Sequence, residues 1–234
     1  MNLRVTLDTR RRAGNLPLVF MQRTLQPELL DSLPPQHPDA RHSRRDLRLI
    51  NRIMGNHRWF ARTLPPLLRS GETALEIGSG TGELGVRLAA NGVPIDGLDL
   101  CPRPDGWPAK GDWQSGDLRS FAGYHRYPAI IGNLIFHQFS REDLAALGKK
   151  LRASARLIVA CEPWRSRGHQ ALFAAFAPVF GANRVTRHDG RVSIAAGFQA
   201  DELPQILGLD EQNWNYHCQK TALGAYRMVA IRRT

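Results

Sequence analysis

The chain has 234 residues, 42% of them hydrophobic and 23% charged, and a formal net charge of +11. This is ordinary globular composition, with room for one large domain or one domain and a small extension. No run approaches the ~18 apolar residues of a membrane span, and no secretory h-region with a small-residue cleavage site opens the sequence, so a cytoplasmic protein without membrane insertion is expected.

The three cysteines, Cys101, Cys161 and Cys218, are widely spaced and form no C-x-x-C pair, which argues against a disulfide scaffold and a zinc knuckle. The positive charge is carried by arginine far more than by lysine. It is densest before residue 70, with a local triplet at Arg10, Arg11 and Arg12. Two readings of that excess stay open, an arginine-rich solvated face and a polyanion-binding surface. No aromatic residues interleave with it as on a single-strand binding platform.

Residues 1 to about 43 read as an irregular arm, with "RVTLD" as a small strand and "PELLDSLPPQHPD" as a short helix running into a proline turn. Ser43 is placed to cap a helix through "RRDLRLINRIMG", whose apolar face is Leu47, Leu49, Ile50 and Ile53. A second helix, "HRWFARTLPPLLRS", breaks near Pro65 and Pro66. These elements suggest a division into an N-terminal arm and helical cap, 1–69, and a ligand-binding domain, 70–234.

From residue 70 the rhythm becomes strand–helix. Strand candidates are "TALEIG", "PIDGLDL", "PAIIGNLIF" and "ARLIVACEP", and helix candidates are "ELGVRLAANG", "REDLAALGKKLR" and "HQALFAAFAPVFG". Short Ile/Val/Leu runs separated by helices predict a mostly parallel sheet. After a helix at "DELPQILGL", the segments "NWNYHCQK" and "AYRMVAIRR" predict a terminal antiparallel pair.

The stretch "LEIGSGTGELG", Leu75–Gly85, joins the first strand to its helix through Gly78, Gly80 and Gly82. Glycines there let a ligand approach the backbone, and the helix N–H groups face it. Position 83 is Glu, so the run is neither the G-x-G-x-x-G dinucleotide fingerprint nor a P-loop, and a carboxylate at the helix start disfavours a pyrophosphate. Glu76, before the first glycine, suits a cationic or amino-bearing ligand. Asp99, 21 positions after Gly78 at the end of "PIDGLDL", is placed to accept both hydroxyls of a ribose.

"LEIGSGTGELG" followed by "GLDL" resembles the cofactor site of class I S-adenosylmethionine-dependent methyltransferases, over roughly residues 70–234. The resemblance implies an α/β, Rossmann-like seven-stranded sheet, mostly parallel with an antiparallel last strand. It implies S-adenosylmethionine as cofactor, with S-adenosylhomocysteine as its product. Gly78, Gly80 and Gly82 would pass beneath the methionine and ribose, Glu76 would lie near the methionyl amino group, and Asp99 would bind the ribose. "WQSGDLRSF" resembles the next motif, with Asp117 at the adenine amino group and Leu118 along the ring, although Asp117 also suits an Asx turn after Gly116. "IIGNLIFHQF" resembles the segment ending the fourth strand, with Asn133 near the sulfonium and His137 at the substrate lip.

"QRTLQPELLDSLP", "LRLINRIMGNHRWF", "NLIFHQF", "CEPWRSR", "AAGF" and "DELPQILGL" together resemble bacterial small-molecule methyltransferases found beside polyketide synthases. That implies a small acceptor, aromatic or polyketide-like, methylated on oxygen. The competing reading is an RNA methyltransferase or a basic RNA-binding protein on the same fold. The catalytic candidates are His137 as base and Glu162 as a second acid–base group. Trp59 and Phe60 are candidates to stack on the acceptor, and Arg165 to attract its phenolate or carboxylate. No cluster of carboxylates suggests a metal, and none is expected.

Overall fold

The computed structural model describes residues 21–233. The "RVTLD" strand and the Arg10–Arg12 triplet lie outside the described residues. Seven strands form one sheet in the order β3-β2-β1-β4-β5-β7-β6. Their ranges are β1 Ala74–Ile77, β2 Ile95–Asp99, β3 Trp113–Ser115, β4 Ala129–Asn133, β5 Leu157–Pro163, β6 Trp214–Lys220 and β7 Ala225–Arg232. β7 is antiparallel to both β5 and β6, while β1 to β5 pair in parallel. The last strand is therefore the reversed one, as expected.

Burial of both faces explains the apolar runs of the central strands. Along β4 and β5, alternate residues feed two cores. Ile130, Ile158 and Ala160 join Leu75 and Ile77 on one face. Ile131, Val159 and Cys161 join Phe60, Leu64 and Leu88 on the other. Among the described residues no helix is long and apolar enough to cross a membrane.

The first helix, α1, is Pro38–Met54, six residues longer at its start than the Ser43 cap predicts. The His37 ring accepts from the Asp39 N–H, and Pro38 occupies the first turn, where its missing N–H costs nothing. Ser43 is instead inside the helix, and the buried face is Ala40, Ser43 and Asp46 rather than the leucine and isoleucine face. Ile53 is exposed. The helix stops at Gly55, φ 67°, and α2 follows at Asn56–Thr63, ending before Pro65.

After β1 come α3 Glu83–Ala90, α4 Arg141–Ser154, α5 Arg167–Phe176, α6 Arg184–Ala196 and α7 Glu202–Ile206. α6 is absent from the sequence reading. Asn183 caps it by accepting from the Thr186 N–H, and it buries Val185, Thr186, Asp189 and Val192. It explains the inward face of α1, because the Thr186 hydroxyl donates to the buried Asp46 carboxylate at 2.8 Å. Gly190 lets it approach α5, since a Cβ there would meet the Phe173 ring at 2.2 Å.

α4 packs on the α7 end with no room to spare. A Cβ on Gly148 would stand 2.3 Å from the Leu207 carbonyl oxygen, which is backbone. Gly148→Ala should therefore lower stability by about 1–3 kcal/mol through overpacking, despite the better helix propensity of alanine. Urea unfolding checks this, and an unchanged midpoint would contradict it.

Candidate functional site

The site is built where β1, β2, β4 and β5 end at the carboxyl edge of the sheet. Gly78, Gly80 and Gly82 all lie in the left-handed region, at φ 65°, 54° and 79°. A side chain is strained there, which accounts for the alternation in the sequence. Gly78 has a second reason, because a Cβ would meet Ile135 at 2.4 Å. The loop is pinned to β2 by Gly78 N–H donating to Leu98 O at 2.8 Å. Asp99 completes it, with Oδ2 accepting from Gly80 N–H at 2.7 Å and Oδ1 from Cys101 N–H at 2.8 Å. Each oxygen keeps a second lone pair for an outside donor. Leu100, beside it, is 77% exposed.

Glu76 is buried beneath the loop, and its Oε2 has no hydrogen-bond partner among the described residues. Burial pushes its carboxyl well above the usual range. The Gly85 N–H opposes that shift, and the charges of Asp99 and Glu83 add to it. A buried carboxyl in this state gains from a cationic or donating neighbour. Trp107, which the sequence reading missed, fills the space around it. Cβ atoms on Gly85 and Gly97 would meet its ring at 2.3 and 3.0 Å. The signal was a glycine inside a helix paired with one inside a strand.

Several candidates sit elsewhere than expected. The Asp117 carboxylate is forked by the Arg119 side chain and accepts from the Arg119 N–H, so the Asx-turn alternative describes its local geometry. Arg119 holds it below the ordinary carboxylate value. The Leu118 side chain is turned into the core rather than along a ligand face. Phe60 is 0% exposed and packs edge-on against Trp59. Trp59 also carries the Arg227 guanidinium over its ring at 5.2 Å. The pair packs α2 against the sheet, with Phe60 fully buried and Trp59 partly so. Arg165 is buried and donates to Met21 O, Gly197 O and Glu202, so its guanidinium is already occupied.

The end of β4 is the most constrained part. Asn133 Nδ2 donates to Asn51 Oδ1 of α1 at 3.2 Å, and its own Oδ1 is buried without a partner among the described residues. Leu134 follows at φ 59°, a left-handed conformation that costs a non-glycine residue roughly 1–2 kcal/mol. The turn aims three consecutive N–H groups at Glu162. Ile135 and Phe136 donate to Oε1 at 2.9 Å each, and His137 to Oε2 at 3.2 Å. The His137 Nδ1 meets Oε2 at 2.6 Å. Glu162, 0% exposed, is thus an anchor for the loop and the ring, not the accessible acid–base group the sequence suggests.

His137 is itself 3% exposed. Burial disfavours its charge, yet Glu162 and Glu28 outweigh burial and raise its pKa to about 9. Its Nε2 faces Glu28 Oε1 at 3.4 Å. Glu28 belongs to the N-terminal arm and has no place in the sequence reading. It also accepts from the Ser193 hydroxyl of α6. Outside this network, α5 and α6 enclose a furrow of about 380 Å³ with Phe173 and Ala177 as apolar lining and Arg184, Arg187, His188 and Arg191 as basic lining.

No protein-family model matches the chain, and no curated protein matches its sequence. Solved structures do match. The plantazolicin methyltransferase BpumL, in complex with a triazolic desmethylPZN analog and SAH, is 11% identical with a TM-score of 0.68, over 88% of this chain and 93% of that one. The pyocyanin biosynthetic protein PhzM is 17% identical with a TM-score of 0.59, over 85% of this chain and 60% of that one. The N-methyltransferase NodS from Bradyrhizobium japonicum WM9, in complex with SAH, is 13% identical with a TM-score of 0.51, over 85% and 89%. The chain has the fold of the class I S-adenosylmethionine-dependent methyltransferases.

The raised His137 pKa carries a stability consequence. A histidine whose folded pKa exceeds its unfolded value of about 6.5 stabilises fully below that value, and the contribution is lost as pH rises through about 9. The melting temperature should fall between pH 7 and pH 10, and the fall should be shallower in His137→Gln. Parallel curves for the two proteins would show that the imidazole is not charged in the folded state.

Proposed function

We propose that the protein is an S-adenosylmethionine-dependent methyltransferase acting on a small molecule, with a phenolic or polyketide-like hydroxyl as acceptor. The observation that carries the reading is the glycine loop facing Asp99, with the partnerless Glu76 oxygen beneath it. On this reading Gly78, Gly80 and Gly82 pass under the methionine and ribose, and Asp99 takes the ribose hydroxyls on its spare lone pairs. Leu100 offers an apolar face to the base. The orphan oxygens of Glu76 and Asn133 answer the amino group and sulfonium, which are donor and cation. Asp117 is left to its turn and Leu118 to the core.

The bound sulfonium supplies an activated methyl group for in-line displacement, so the chain's own task is orientation and exclusion of water. α1 contributes to both. It crosses the edge from Arg48, 3.6 Å from Glu83, past Asn51 at Asn133, to Asp46 at α6. Glu162 fixes the His137 ring by its Nδ1 and leaves Nε2 as the face that takes the acceptor's proton. The arginine furrow supports an acceptor with an acidic group, in the role the sequence assigned to Arg165. The basic excess keeps an RNA acceptor as the competing reading.

Calorimetry should give binding of both S-adenosylmethionine and S-adenosylhomocysteine, weakened by about tenfold to a hundredfold in Asp99→Ala. A folded protein that binds neither, or binds NAD instead, would remove the reading. With a phenol identified by labelled-cofactor screening, His137→Ala should lose ~10²–10⁴-fold in kcat, most for the least acidic acceptors, at unchanged cofactor affinity. Methylation of a structured RNA at physiological salt would replace the small-molecule acceptor.

A further inference from the structure

The arm from Met21 to Leu33 has little regular structure, yet it is fastened to the site along its length. Met21 O accepts from Arg165 Nε at 2.6 Å. Thr24 N–H donates to Ala195 O at 3.1 Å. The Arg23 guanidinium lies over the Phe198 ring at 4.9 Å and donates to Ala196 O, His137 O and Phe139 O. Farther along, Leu29 and Leu30 donate their N–H groups to the two Asp189 oxygens at 2.7 and 3.0 Å. Between these fastenings stands Glu28, against His137.

The position of Glu28 is incompatible with base catalysis by His137. Glu162 occupies Nδ1, so Nε2 is the only ring nitrogen left to receive a proton, and Glu28 covers it. The Glu28 side chain is 15% exposed and that of His137 4%, so of the two groups in this contact the carboxylate is the one nearer solvent. We propose that the Met21–Leu33 arm is a lid whose Glu28 holds the acceptor's place on His137, so that acceptor hydroxyl and Glu28 carboxylate compete for one imidazole nitrogen. This assignment of the competitor rests on the methyltransferase reading, whereas the movable lid does not.

With the lid down, two carboxylates flank one imidazole and keep it protonated and inert. When Glu28 leaves, the Nε2 proton passes to water, and the freed nitrogen accepts the proton of the incoming hydroxyl. Among the described residues, the charged groups around the ring are few. Glu162 comes from β5, Glu28, Asp31 and Arg23 from the arm, and Asp189 and His188 from α6. Of the two carboxylates in direct contact with the imidazole, Glu162 is fixed by three backbone bonds. Glu28 is held by one hydroxyl and by the arm, and is the one able to move.

The test uses the full chain without an acceptor. Nitrogen-15 spectra of labelled histidine should show the His137 midpoint falling by at least one pH unit in Glu28→Gln. Hydrogen exchange over residues 21–33 should quicken at least tenfold in Glu28→Gln and in Arg23→Ala, with β4 and β5 unchanged. A Thr24→Cys/Ala195→Cys pair, oxidised to a disulfide, should protect His137 from carbethoxylation by diethyl pyrocarbonate, and reduction should restore the wild-type rate. S-adenosylhomocysteine affinity should be the same in both redox states. An unmoved His137 midpoint in Glu28→Gln would overturn the contact. Carbethoxylation that ignores the disulfide, or an arm that exchanges only with global unfolding, would overturn the lid. These results do not depend on methyl transfer, so failure of the cofactor-binding experiment leaves the lid standing, and failure here leaves the fold's proposed activity standing.

Discussion

The carboxylate of Glu162 organises the site. A fully buried carboxylate costs several kcal/mol unless its lone pairs are answered, and here three successive backbone N–H groups and an imidazole answer them. Three consecutive N–H groups converge on one point only if the chain turns sharply before them, which is why Leu134 is left-handed. The turn sends Ile135 against Gly78, so the first glycine of the loop after β1 is bare because of a carboxylate two strands away. It also buries Phe136 in the core and points His137 Nε2 at the arm. Strain, packing and ring orientation are thus consequences of one buried charge at the end of β5.

Much of the fold was legible because its signals are local. β1, β2, β4 and β5 are short apolar runs, the turn after β1 carries three glycines, and α4 begins directly after Ser140. α6 was not legible. Its inward residues, Val185, Asp189 and Val192, are diluted by outward arginines and by Gly190, so the apolar period is weak, and part of its buried face is polar because Asp46 and the arm lie against it. The same gap explains the misplaced face of α1, since the partner that turns Ser43 and Asp46 inward was unseen.

In the site, residues defined by backbone geometry were readable, and residues defined by long-range pairing were not. Gly78, Gly80 and Gly82 announce their conformation, and Asp99 its place at a strand end. Trp59, Phe60 and Arg165 looked available because sequence shows type and not partners; their neighbours lie 168, 1 and 37 positions away in Arg227, each other and Glu202. Glu28 is the opposite case. Nothing in "QPELLDS" marks it, and its meaning comes wholly from His137, 109 positions on.

The net charge of +11 takes on a different sense once the charges have places. The β1–β2 end of the edge gathers Glu83 and Asp99 beside Glu76; burial first, and then their charges, make Glu76 costly to ionise, and the cluster favours a cationic ligand. The α5–α6 end gathers Arg184, Arg187 and Arg191, which form no ion pairs among the described residues and favour an anion. A backbone-tracking RNA groove needs its cations spread along a path of several nucleotides. Here those three line one open furrow of about 380 Å³.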